Sequence, residues 1–146
     1  MTYSIKTIAE RTGLSIYTLR FYDKSGLLPF VARDAAGYRA FTDGDLLLLH
    51  TICCLKDTGM KIADIRRYID LVMAGPETVA ARAALLRRHR TAVVAEQERI
   101  ARSLEEIDYK LNMYADVDAK ALVGREWAVA AADKAANGLA NPFTLG

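Results

Sequence analysis

SIKTIAERTGLSIYTLRFYDKSGLL, residues 4–28, sets two helix caps, two apolar stripes and a glycine in one short run. Ser4 is placed to cap a helix whose apolar positions Ile5, Ile8 and Ala9 follow helical spacing, and Gly13 suits the left-handed residue that ends it. Ser15 caps a second helix at once, with Ile16 and Leu19 facing inward and a stop near Gly26. Only GLS, residues 13–15, separates the two helices, so they must cross steeply. A small residue at the crossing (Ala9), a glycine in the turn (Gly13) and an apolar plug in the shared core (Leu19) agree with the DNA-binding helix-turn-helix. Tyr17, Thr18, Arg20 and Tyr22 are then left on the other faces of the second helix, available to phosphates or base edges.

Working outward, RDAAG (33–37) reads as a turn between two short extended segments, with GYRAF (37–41) as the return strand of a β-wing. Thr42 and Asp45 form a capping box for a helix carrying Leu46, Leu49, Ile52 and Leu55 and ending near Gly59. A further helix starts at Lys61 or Ile62 and stops at AGPE (74–77), where Gly75 closes one element and Pro76 opens the next.

SIKTIAERTGLSIYTLRFYDKSGLL, GYRAF and LKDTGMKIADIRRYI (55–69), in unbroken order over residues 4–69, resemble the winged-helix domain of the MerR family of bacterial transcription regulators. The resemblance implies that Tyr17, Thr18, Arg20 and Tyr22 belong to the recognition helix, that Tyr38 and Arg39 belong to the first wing, and that Lys61 and Arg66 lie near phosphate in a second, helical wing. With the capping Ser15 these residues make up the expected DNA-binding set. The resemblance also implies a homodimer that binds a promoter with an overlong spacer, with or without inducer, and bends and untwists it for RNA polymerase.

From Pro76 onward, Val79, Ala83, Leu86, Arg90, Val93, Gln97, Ile100, Leu104, Ile107, Leu111 and Tyr114 recur in alternating steps of four and three. That is a heptad seam, on a helix of roughly 60 Å at about 1.5 Å per residue, so a partner chain is expected. The dimer seam proper is assigned to Leu86, Val93, Ile100, Leu104, Ile107 and Leu111. Periodicity does not distinguish parallel from antiparallel pairing; the resemblance implies antiparallel. The expected fold class is thus mainly α. A winged helix-turn-helix with a small β-wing (1–75) is followed by a long dimerisation helix forming an antiparallel coiled coil (76–115). An Ala-rich tail (116–146) reads as a short helix from about Asp116 to Ala136 with a loose end.

Composition narrows the function classes. The 146 residues are 52% apolar and 26% charged, with no long apolar stretch, which points to a soluble cytoplasmic protein without membrane partner. The net charge of +2 lies wholly in residues 1–75, with ten Lys and Arg against eight Asp and Glu; residues 76–146 hold ten of each. The metal-sensing relatives carry cysteine ligands after the coil, whereas here residues 55–146 contain no cysteine, so neither a metal nor another cofactor is expected.

The two cysteines are neighbours, Cys53 and Cys54, too close for an ordinary bridge. Cys53 follows Leu46 and Leu49 at helical spacing and should face the core. Cys54 in HTICCLKDTGMKI (50–62) occupies a place that resembles the thiol-dependent branch of the family, which senses reactive aldehydes and oxidative or nitrosative stress. His50, four residues earlier on the helix, would favour the thiolate if cationic. The other readings are a cysteine that only packs, an effector bound between coil and DNA-binding domain, and a thiol enzyme with Cys54 as nucleophile and His50 as base. A coiled-coil adaptor that binds protein instead of DNA is a further alternative. His89, flanked by Arg87, Arg88 and Arg90, reads as a solvated helix residue.

Overall fold

Local capping dictates the first elements. The computed structural model describes residues 1–143. Helix α1 spans Ile5–Thr12; the Ser4 hydroxyl accepts from the Thr7 amide at 3.2 Å, and Gly13, at φ 73°, donates to the Ala9 carbonyl to close it. Helix α2, Ile16–Lys24, follows after the three-residue turn, capped by Ser15, whose hydroxyl accepts from the Thr18 amide at 3.0 Å. Strands β1 (Ala32–Arg33) and β2 (Arg39–Ala40) pair antiparallel, with Ala32 opposite Ala40 and Arg33 opposite Arg39. Asp34 builds the turn between them by accepting from the amides of Ala36 and Tyr38 at 2.9 and 3.0 Å.

Helix α3, Asp43–Asp57, opens with the expected capping box between Thr42 and Asp45, and α4 spans Ile62–Met73. A 3₁₀ turn at Pro76–Thr78 then precedes α5, Val79–Tyr114, so the long helix begins three residues after Pro76, where the sequence opens it. The last helix, α6, is Ala119–Ala136, entered through a turn in which the Asp116 side chain accepts from the Asp118 amide. The chain divides into two compact units, Met1–Ala95 and Glu96–Gly146, with the boundary inside α5.

In the first unit, Ile8, Leu19, Leu27, Leu28, Val31, Phe41, Leu49, Ile52, Ile65 and Ile69 are fully buried, and each such side chain is worth about 1.5–3 kcal/mol of burial. The N-terminus is zipped to the foot of the wing by a bridge between Tyr3 and Phe41, and the Arg11 guanidinium lies 4.1 Å over the Tyr3 ring. The first turns of α5 join this core through Leu85 and Leu86. Leu86, at the head of the predicted seam, is half-buried against its own chain, because the heptad stripe first passes over the first unit.

In the second unit, α6 lies along one side of α5. Lys110 pairs with Glu126 at 3.8 Å, and Tyr109 and Met113 share a hollow with Leu122 and Val129. Met113 stands about 180° around the helix from Leu104. Ile100, Leu104, Ile107 and Leu111, on the side away from α6, remain 52–60% exposed. The predicted loose end is partly corrected: Phe143 folds back so that its ring centroid is 5.2 Å from that of Trp127, while residues 144–146 lie outside the described residues. Among the described residues no helix is long and apolar enough to cross a membrane, and no three His, Cys, Asp or Glu side chains gather to hold a metal.

Candidate nucleic-acid interface

Helix α2 sorts its side chains by angle. At about 100° per residue Tyr22 stands roughly 60° from Leu19, whereas Tyr17 and Phe21 both stand about 160° away. The observed burial follows this wheel: Tyr17 is 81% exposed and Tyr22 is 5% exposed. Tyr22 thus corrects the sequence reading, which left it on an open face. Its ring fills the core, and burial first, then the nearby Cys53 and Asp57, push its hydroxyl above the ordinary tyrosine pKa. Phe21, which the sequence left without a role, is 46% exposed beside Tyr17. Helical angle was the signal for both residues. Ser15 and Thr18 cap the helix, with the Ser15 hydroxyl donating to Thr18 Oγ1 at 2.9 Å. Arg20 is exposed and makes no ion pair among the described residues.

The wing supplies the facing side. Directly opposite residues of a two-stranded ribbon share a face, so Arg33 and Arg39 meet as like charges. Asp23 of α2 relieves this by binding Arg39 in a fork, Nε to Oδ2 at 3.1 Å and Nη2 to Oδ1 at 2.6 Å, and Arg39 Nη1 also donates to the Val31 carbonyl. Arg39 is therefore a correction as well: its guanidinium bolts the wing to α2 instead of standing free. Arg33, absent from the sequence assignment, is the exposed cation there, held by a 2.7 Å bond to the Gly37 carbonyl. Its place opposite Arg39 was the only sequence signal. Tyr38 is 73% exposed near the wing tip. Arg20, Asp23, Arg33, Tyr38 and Arg39 border one groove of about 310 Å³.

Lys61 is exposed at the N-cap of α4, with no side chain capping the helix. Arg66 packs on the turn after α2. Gly26 has φ 79° there, a backbone conformation that favours glycine, and a methyl group on it would come within 3.1 Å of the Arg66 Nε. Lys61, Asp64, Arg67, Arg88 and His89 border a second concavity, of about 270 Å³. His89 is another correction: it is half-buried, with Nε2 2.7 Å from Thr58 Oγ1. The first unit holds fourteen Lys and Arg against nine Asp and Glu, and the second six against nine. The basic excess is therefore +5 in the helix-turn-helix unit, against −3 beyond it.

Cys54 is exposed on α3, on the same face as the exposed His50 and Leu47. Cys53 is half-buried against the core, as its spacing predicts, and burial first, then Asp57, raises its thiol pKa. At neutral pH a raised pKa means less thiolate. Iodoacetamide should accordingly modify Cys54 at least about tenfold faster than Cys53 in the folded protein, and equal rates by peptide mass mapping would contradict this placement.

A model of the MerR HTH family regulatory protein matches residues 3–71, and a model described as MerR, DNA binding matches residues 46–110. An HTH-type transcriptional regulator of Haemophilus influenzae is 44% identical over 114 residues, covering 78% of this chain and 84% of that protein. The crystal structure of HiNmlR, described as a MerR family regulator lacking the sensor domain and bound to promoter DNA, superposes with a TM-score of 0.74 at 44% identity, covering 84% of this chain and 95% of that one. A MerR family regulator from Listeria monocytogenes gives a TM-score of 0.76 at 27% identity over 85% of this chain and 94% of that one.

Proposed function

The chain belongs to the MerR family of helix-turn-helix regulatory proteins, and from that premise we propose that this DNA-binding transcriptional regulator grips a promoter as a homodimer and activates by distorting the DNA. One observation carries the reading: Arg20, Arg33 and Tyr38 stand exposed around a single groove that joins α2 to the wing. In this reading α2 enters the major groove, with Tyr17, Arg20 and Phe21 toward the DNA, while Arg33, Tyr38 and Lys61 meet phosphates. The +5 charge of this unit supports binding to a polyanion, and HiNmlR was crystallised on promoter DNA. The exposed stripe from Ile100 to Leu111 supports a second copy as the dimer partner. Two half-sites held by one rigid dimer then bend and untwist the intervening promoter, and RNA polymerase reads the altered spacing.

Cys54 supplies the sensing chemistry in this reading, and its exposure beside His50 supports the assignment. A thiolate adds to an aldehyde carbon to form the S–C bond, and the carbonyl oxygen takes up a proton. The test is gel mobility shift on the DNA upstream of the gene, with transcription in vitro with and without aldehydes, thiol oxidants and divalent metals. Cys54→Ser is expected to bind that DNA within about twofold of wild type, since α2 and the wing are untouched, and to lose the response to aldehyde or oxidant. A variant that responds like wild type would make Cys54 a packing residue. The 270 Å³ concavity at Lys61, Arg88 and His89 favours a second reading, in which a small effector binds between α4 and α5; metal-free, thiol-independent induction in the same assay identifies it.

A further inference from the structure

The last turn of α4 contains no basic residue to meet its free carbonyls and the negative end of its dipole. Arg82, one turn into α5, fills that role. Its Nη2 donates to the Gly75 carbonyl at 2.7 Å and reaches the carbonyls of Val72 and Leu71 at 3.3 and 3.4 Å, while its Nε donates to Thr78 Oγ1 at 2.9 Å. The Thr78 hydroxyl in turn shares its hydrogen between the carbonyls of Leu71 and Gly75, at 2.6 and 2.7 Å. One planar guanidinium thus ties the end of α4, the glycine at φ 96° and the start of α5 into a single rigid joint. Leu85 and Leu86 hold the next turns of α5 on the core, and Arg82 adds the directional bonds at the glycine joint itself.

We propose that Arg82 is a positioning residue: by locking the angle between α4 and α5 it sets the half-site separation that the dimer accepts. This rests on the homodimeric promoter-binding reading above. A hinge that is merely weakened lowers affinity for every DNA in proportion; a joint that sets geometry changes the preference among separations. The measurement is therefore a ratio, the affinity of the full chain for its operator at native half-site separation over that for an operator with two base pairs inserted between the half-sites.

For wild type the ratio is expected near about a hundredfold, because a displaced half-site forfeits simultaneous engagement. Arg82→Met, checked as folded by circular dichroism and dimeric by sedimentation, should bring it below about tenfold. Thr78→Ser retains the hydroxyl and should keep the wild-type ratio. A folded, dimeric Arg82→Met protein with the wild-type ratio overturns the proposal. Should Arg82→Met fail to fold, Arg82→Lys decides in its place. It keeps the charge at the end of α4 but has no fork to hold Thr78 and Gly75 together, so a lowered ratio supports the joint and an unchanged one overturns it. Wild-type protein that binds both operators equally overturns the dimer reading itself, and this proposal with it.

Discussion

Leu104→Asp is expected to sediment as a folded monomer and to lose operator affinity by at least about a hundredfold, since only one half-site is then held at a time. Leu104 is 52% exposed in the single chain, so the carboxylate costs that chain little and helix content should stay unchanged. In a dimer the same position lies in a stripe with Ile100, Ile107 and Leu111, on the side of α5 away from Met113 and α6. Each of those side chains gives about 1.5–3 kcal/mol when covered, whereas a buried unpaired carboxylate costs several kcal/mol. Both losses oppose association and neither falls on the single chain, where the position is exposed, so association should fail without any change in fold. Ile100→Asp tests the same stripe one step earlier. Analytical ultracentrifugation decides the matter, and a Leu104→Asp protein that runs as an undisturbed dimer would place the interface elsewhere.

Arg20→Ala is expected to weaken operator binding by about 1–3 kcal/mol per half-site, incurred twice in a dimer. Arg20 is free to reach DNA because no carboxylate of the described residues pairs with it, and its removal leaves no buried group unsatisfied. The dimer and the thermal stability should therefore be unchanged. Titrations across a range of salt concentrations separate its two possible duties. Loss of a phosphate contact lowers the salt slope by about one per site and is the same on every sequence, whereas loss of a base contact relaxes discrimination at one position. Full affinity in the variant would remove α2 from the interface. Arg39→Ala would not give this answer, since Arg39 is forked to Asp23 and its loss frees the whole wing.

The elements themselves were legible because the forces that end a helix are local. Ser4, Ser15 and the Thr42–Asp45 box act on amides three residues away, and Gly13 and Gly75 take backbone angles that other residues rarely adopt. The apolar stripe of α5 was legible for a similar reason, since residues seven apart lie on one side of a helix whatever surrounds it. Tyr22 was misread although the helical wheel places it beside Leu19, because a phenol serves equally well in a core or at a wet rim and its chemistry does not say which.

The amino-acid order by itself determined the helices, the wing, the tight turn of the helix-turn-helix and the long apolar stripe of α5, each set by residues within about a turn or a heptad of one another. Tertiary structure alone decided which cations remain free to meet DNA. Arg39 is taken by Asp23, sixteen residues away in sequence, while Arg33 is left exposed by the same pairing. It alone packed Leu86 against the core, tied Arg82 to the end of α4, and set the boundary of the basic unit after Ala95, bringing Arg82, Arg87, Arg88 and Arg90 onto its side. The reason is that a long polar side chain has several partners of comparable strength within reach. Only the packing of elements distant in sequence selects among them.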